Sequence, residues 1–280
     1  MINYKNFPDN QNNSKAIVTI AIGEKYLSIF NDICHANWNS YCDKFGYDLI
    51  VIAHPLDSSE RANKRSPSWQ KLLILSQPWS NKYERIVWID LDVIINNENA
   101  YDICDGVPID MIGAVDAYSI PTKEIHDISL KRMYNQWELM GVPFINNLTA
   151  GQYYTNRGIL GGHLDSVVQA GVFVCSPKHH KEVFEYIYLN YEDTNGAEWN
   201  YEMPAMSYEL LERNLVKYIS PSFNFCVGNI EAAFYMGVNQ NCLPQIYSLS
   251  IFMHFAGCID KMQFIKQIIN ENQHSYIGLQ

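Results

Sequence analysis

Residues 84–97 read Glu84-Arg85-Ile86-Val87-Trp88-Ile89-Asp90-Leu91-Asp92-Val93-Ile94-Ile95-Asn96-Asn97, and this stretch decides how the chain is read. Four apolar residues, Ile86–Ile89, run into two carboxylates one residue apart. A second apolar group, Val93–Ile95, follows at once. Carboxylates inside such a segment cost free energy unless something compensates them. Hard divalent cations supply that compensation through oxygen ligands. The pattern predicts a buried strand whose C-terminal end holds a metal.

The segments on either side set that strand in an alternating pattern. Ala16–Ile22 is a β-branched run ending at Gly23, and Asp48–Ala53 is a second such run. Between them, Leu27, Phe30, Ile33, Cys34, Trp38, Tyr41 and Phe45 recur at helical spacing up to Gly46, a C-cap. Asp57–Ser68 reads as a polar loop, Trp69–Gln77 as a helix closed by Pro78, and Met111–Val115 as a fourth strand. Further on, Ser166–Cys175 and Ile251–His254 read as strands, and Lys178–Leu189, Met203–Asn214 and Met262–Ile269 as helices. Strands alternating with helices predict an α/β fold with a mostly parallel central sheet. Ligands bind such sheets beyond the carboxyl ends of the strands. Gly23, the Asp90/Asp92 pair and Asp116 all fall at such ends.

Residues 119–165 break the pattern. They are rich in Asn, Gly and Tyr and carry one helical piece near Ile128–Met140. The Gly-rich run Arg157–Gly162 has no strand before it, so it is not a phosphate loop. The expected organisation is a polar N-terminal tail over 1–14 and a single domain over 15–280. The 119–165 insertion is expected to face an acceptor.

Composition narrows the function. The 280 residues are 48% hydrophobic and 18% charged, as in a globular chain. A net charge of −10 excludes a nucleic-acid binder that relies on a basic surface. The 7 cysteines are odd in number and show no CxxC pair, which fits reduced thiols in a cytoplasmic protein. No signal peptide and no apolar run long enough to span a membrane is read. The 19 tyrosines and 6 tryptophans suit sugar rings.

With its strand, the Asp90-Leu91-Asp92 triplet resembles the DxD motif of GT-A glycosyltransferases, most of all glycosyltransferase family 8 and the related family 34. Four further stretches carry the resemblance. His254-Phe255-Ala256-Gly257-Cys258-Ile259-Asp260-Lys261 is similar to the family 8 HxxGxxK signature, with Lys261 one residue late. Gln169-Ala170-Gly171-Val172-Phe173 resembles the strand beside the donor sugar, and a bulge in a core strand is a plainer reading compatible with it. Glu198–Ser207 falls where family 8 has an Asp-Gln-Asp-like element. There Glu202 fits the first acidic position and Met203 replaces the usual glutamine. Trp69-Gln70-Lys71 resembles the W-x-K element of family 34.

The resemblance implies a GT-A, Rossmann-like fold that moves a hexose, galactose or glucose, from a UDP-sugar to a carbohydrate or other hydroxyl acceptor with retention. Asp90, Asp92 and His254 are the implied ligands of Mn²⁺, with Mg²⁺ as the second choice. Ala21, Ile22 and Gly23 would meet the nucleoside, Ala170 and Gly171 the sugar, and Leu91, Gly257 and Lys261 the diphosphate region, while Lys71 would reach a phosphate or pair with a site carboxylate. Glu202, Asp92 and Lys261 are the candidate catalytic residues.

Plainer readings stand beside these. Lys71 reads as a surface lysine on an amphipathic helix, Glu202 as a charge favourable to a helix N-terminus, and His254 as a satisfied core histidine. Two other functions remain open, a nucleotidyltransferase that makes the nucleotide sugar and a non-catalytic carbohydrate-binding relative. A homo-oligomer is also left open.

Overall fold

The structure is a computed structural model, and it describes residues 3–5, 13–193, 201–234 and 243–265. Its strands are β1 (Asn3–Lys5), β2 (Lys15–Ile20), β3 (Tyr47–Ile52), β4 (Arg85–Ile89), β5 (Val93–Ile95), β6 (Ile112–Asp116), β7 (Val168–Cys175), β8 (Val216–Tyr218), β9 (Phe225–Cys226) and β10 (Phe252–His254). Seven form the main sheet in the order β1-β3-β2-β4-β7-β6-β8, and β5-β10-β9 form a small second sheet. In the main sheet β3, β2, β4, β6 and β8 run one way, with β1 and β7 opposed. Helices cover both faces. This is the α/β architecture with a mostly parallel sheet that the alternating pattern predicts.

Strand β4 lies at the centre, and its alternation explains the two cores. Ile86 and Trp88 point to one face, where they pack with Trp69, Phe173, Phe184 and Leu210. Val87 and Ile89 point to the other, among Trp38, Tyr41, Val174 and the residues of the small sheet. Both faces are apolar because both are covered, as expected for a parallel sheet.

The first helical run is continuous from Glu24 to Phe45, but Phe30–Cys34 is a π-helical turn. The run ends at Gly46, whose left-handed conformation (φ 70) closes it as the C-cap reading required. The expected helix at Trp69–Gln77 is instead a 3-10 helix over Pro67–Ser76. Its three-residue repeat stacks Trp69, Leu72 and Leu75 in one row toward the core.

Part of the expected tail is structured: Asn3–Lys5 pairs antiparallel with β3, covering what would otherwise be an open sheet edge. Residues 1–2 and 6–12 of that tail lie outside the described residues. The insertion is more regular than its composition suggests. A helix spans Lys123–Met140, starting well before Ile128 because the Thr122 hydroxyl caps Ile125 N–H. A second helix, Ala150–Thr155, carries a capping box between Thr149 and Gln152. β5, β8, β9 and the helices Val227–Phe234 and Leu243–Leu249 escaped the sequence reading, the strands because two or three residues are too few for a period. The final helix begins at Met262 as expected, and residues 266–269 of it lie outside the described residues. Among the described residues six cysteines are free thiols, and no helix is long and apolar enough to cross a membrane.

Candidate active site

The two carboxylates sit on a loop held from three directions. β4 ends at Ile89, and the next residue, Asp90, donates its backbone N–H to Gly171 O of β7 at 2.7 Å. The π-helical turn brings Cys34 Sγ to 3.3 Å from Leu91 O, and Trp38 Nε1 donates to Val93 O at 3.0 Å. The small sheet closes the third side, with Phe255 N–H donating to Asp92 O at 2.8 Å. Because β2, β4 and β6 are parallel, Ala21–Gly23, Asp90 and Asp116 lie along one sheet edge. The antiparallel β7 brings its N-terminal end, Gln169–Gly171, to the same edge.

Asp90 faces a buried cation. Lys71 Nζ lies 3.1 Å from Asp90 Oδ1, 2.7 Å from Glu202 Oε1 and 3.1 Å from Ala170 O. Lys71 is 2% exposed, so the plain reading of it as a surface lysine is corrected. The 3-10 repeat sets it in line with the buried Ile74, beside the Trp69, Leu72 and Leu75 row, and two carboxylates and a carbonyl compensate its charge. Trp88 Nε1 donates to the same Asp90 oxygen at 2.7 Å. Glu202, 3% exposed, stands at the N-cap of the helix Met203–Glu212 and is fixed by Lys71. Glu202 thus stands at a helix start, as its plainer reading has it, and shares with Asp90 the lysine that holds both.

Asp92 faces an imidazole. His254 Nε2 lies 3.1 Å from Asp92 Oδ1. On its other side, His254 Nδ1 is 2.7 Å from Asn224 Oδ1, and Asn224 Nδ2 donates to Gln169 Oε1 at 3.0 Å. Gly171 makes room for this ring: a Cβ there would stand 2.4 Å from His254 Cε1. The β6–β7 register shifts at Ala114/Val115, opposite this glycine, so the bulge reading of Ala170-Gly171 also holds.

The charges are unevenly compensated. Burial lifts the Asp90 carboxyl above its ordinary range, and Asp92 and Glu202 add to the effect in spite of Lys71. Burial would raise Asp92 as well, but the His254 charge and hydrogen bond outweigh it and hold the carboxyl low. Burial would lower His254, and Asp92 reverses this, placing the imidazole well above its usual value. Lys71 is likewise held above the ordinary lysine range by Asp90 and Glu202 against the effect of burial. Asp90, Asp92 and His254 each offer a ligand atom, and these atoms lie within 4.8 Å of one another. Two carboxylate oxygens and one imidazole nitrogen suit a Mn²⁺-type cation. The residues present therefore fit a metal.

The other expected residues divide. Ala21 is fully buried and donates its N–H to Ile52 O, while Ile22 and Gly23 end at the sheet edge. Gly257 has φ 73 and open space where a side chain would be, so its backbone can be approached closely. Lys261 pairs with both oxygens of Glu231 at 2.9 Å, not with a site carboxylate. Asp116 accepts Tyr118 N–H and Val167 N–H and so stabilises a turn. Glu198–Asn200 lie outside the described residues. Tyr153 of the insertion is a buried ring whose phenol burial raises, in a small cluster against which Met203 packs. The sequence reading missed Asn224 and the indole of Trp88. Asn224 had a readable signal, a lone amide among apolar neighbours in Phe223-Asn224-Phe225-Cys226.

No protein-family model and no curated protein matches this sequence. Solved structures do match. A glycosyltransferase involved in glycosylation of the major capsid of PBCV-1 superposes with a TM-score of 0.52 at 13% identity, over 90% of this chain and 99% of that one. The apo structure of the bifunctional glycosyltransferase WbbM superposes with a TM-score of 0.52 at 12% identity, over 88% of this chain. The chain shares its fold with these two glycosyltransferases. The match spans 46% of the WbbM chain, less than half of that bifunctional protein. At these identities the likeness is one of architecture, and the chemistry has to be argued from the site.

Proposed function

We propose that this protein is a metal-dependent glycosyltransferase that moves a hexose, galactose or glucose, from a UDP-sugar to a carbohydrate or other hydroxyl acceptor with retention of configuration. The observation that carries this reading is the convergence of Asp90, Asp92 and His254 at the carboxyl edge of a glycosyltransferase fold, with ligand atoms within 4.8 Å. These three residues would hold Mn²⁺, which when bound supplies Lewis-acid stabilisation of a departing diphosphate.

The chain's own residues have defined tasks in this reading. Lys71 ties Asp90 and Glu202 into one unit, so the cation site and the carboxylate assigned to the sugar keep a fixed relation. Preorganisation of this kind is where much enzymatic rate enhancement originates. The backbone at Gly257 is open to a phosphate oxygen. Ala21–Gly23 mark the nucleoside end of the same edge. The 119–165 insertion is assigned to the acceptor, and the packing of Met203, the neighbour of Glu202, against the Tyr153 cluster supports this. The Lys261–Glu231 ion pair gives Lys261 a second partner, so a role on the diphosphate requires that pair to open.

A screen of nucleotide sugars for hydrolysis and transfer with and without Mn²⁺ tests the proposal. UDP-galactose or UDP-glucose turnover should require the metal. Asp92→Ala combined with His254→Ala should lower turnover by about 10³-fold, the scale of several kcal/mol of charge stabilisation. Turnover surviving in that variant without added metal overturns the metal assignment. Proton NMR of the first-formed product reads the anomer, and inversion overturns the retaining outcome. Sugar binding without nucleotide binding in calorimetry would favour a carbohydrate-binding relative instead.

A further inference from the structure

The amide of Asn224 is fully buried and bonded on both sides, and the bonds fix its direction. The backbone N–H of Gly171 can only donate, and it donates to Gln169 Oε1. That oxygen also receives a bond from Asn224, so the nitrogen of the Asn224 amide points at Gln169. The Asn224 oxygen is then the atom facing His254 Nδ1 at 2.7 Å. An amide oxygen only accepts, so Nδ1 carries a proton. The other ring nitrogen, Nε2, is left to face Asp92 and the space between the two carboxylates.

We propose that Asn224 is a positioning residue that holds His254 with its proton on Nδ1 and its Nε2 aimed at the cation. The assignment rests on the metal reading above and adds to it the residue that orients the nitrogen ligand. Outer partners of this kind set both ring orientation and tautomer at metal-bound histidines. Three further observations agree. Gly171 presses the ring from one face, since any Cβ there would meet Cε1. β9 and β10 pair in parallel with His254 opposite Cys226, which places Asn224 immediately ahead of the neighbouring strand. The Cys226 thiol, 3.9 Å from Nδ1, is also within reach of Asn224 O and Oδ1 and is a weak donor at best, so it does not replace the amide.

Two variants separate positioning from simple space-filling. Asn224→Leu keeps the bulk but offers no acceptor, whereas Asn224→Asp keeps an acceptor for Nδ1–H. Titrating Mn²⁺ alone by calorimetry, Asn224→Leu should bind roughly 10- to 100-fold more weakly than the unaltered protein. Asn224→Asp should retain most of the affinity. Unchanged Mn²⁺ affinity in folded Asn224→Leu, or an equal loss in both variants, overturns the assignment. A second readout needs no metal. Nitrogen-15 NMR of the metal-free protein should show a hydrogen-bonded His254 Nδ1–H that Asn224→Leu loses. A ring protonated only on Nε2 overturns the proposal outright. If the unaltered protein fails to bind Mn²⁺, the metal reading falls, and the NMR experiment still decides the role of Asn224. Should Asn224→Leu not fold, Gln169→Leu removes the partner that fixes the amide, and it should weaken Mn²⁺ binding in the same direction by a smaller factor.

Discussion

Asp90 and Asp92 are one residue apart on the same loop, yet they stand in different electrostatic settings. Asp90 is held by Lys71 and Trp88, groups from its own face of the main sheet, and shares its lysine with Glu202. Asp92 is held by His254, the last residue of β10 in the small sheet, and by the backbone of Phe255, which follows it. Burial leaves the Asp90 carboxyl raised, whereas the imidazole holds that of Asp92 low. The pair therefore presents one under-compensated carboxylate and one well-compensated carboxylate to the same point. A cation placed there would relieve the first without having to expel a lysine, because Lys71 is anchored on the opposite side by Glu202. The comparison also divides the labour. The Asp90 side is a rigid ionic scaffold, and the Asp92 side is an oriented ligand set.

If that division is right, the largest effect belongs to the scaffold. Lys71→Met leaves two carboxylates without their cation, and breaking a buried pair costs about 3–5 kcal/mol. Chemical denaturation should show a loss of that size. Lys71→Met with Glu202→Leu should recover a large part of it, because the second buried charge is removed as well. A single Lys71→Met variant as stable as the parent would break the distinction between the two sides.

The ligand side should respond in binding more than in stability. Gly171→Ala puts a methyl group 2.4 Å from His254 Cε1, so the ring must move. Overpacking of this kind costs about 1–3 kcal/mol. Mn²⁺ affinity measured by calorimetry should fall further than the melting temperature suggests. A drop in stability with unaltered Mn²⁺ affinity would mean that the ring position is not what sets binding.

The smallest effect is expected at Lys261, which lies outside both sides in a partly exposed pair with Glu231. Such pairs contribute about 0.2–1 kcal/mol. Lys261→Ala should therefore barely shift the denaturation midpoint. If kcat for a UDP-sugar falls more than about tenfold, beyond the roughly 1.4 kcal/mol that such a factor represents, Lys261 leaves Glu231 during the reaction and joins the diphosphate.

The sequence made much of this legible, for identifiable reasons. β2, β3, β4, β6, β7 and β10 were readable because buried strands concentrate β-branched and aromatic residues. The Asp90–Asp92 pair was readable because charge interrupts such a run. His254 with Gly257 was readable as a spaced pair, and Gly46 as the stop of a helical period. The 3-10 geometry of Pro67–Ser76 was not legible, because a short apolar helix has the same composition in either form. The start of the insertion helix was missed because its first turn, Lys123–Asp127, is mostly polar and only the Thr122 cap marks it.

What the chain determined by itself was the list of elements along one sheet edge and the residue types able to bind a cation there. These follow from local patterning, which acts over a few residues. Only the tertiary structure decided which groups face one another. It turned Lys71 from a lysine on a helix into the shared partner of Asp90 and Glu202. It showed that Gly171 is small because an imidazole occupies the space beside it. It also placed Asn224, the last residue of the 3-10 turn Pro221–Asn224 just ahead of β9, behind His254. These are contacts between segments far apart in the chain, and they depend on sheet order, strand direction and the close packing of buried side chains, none of which local spacing encodes.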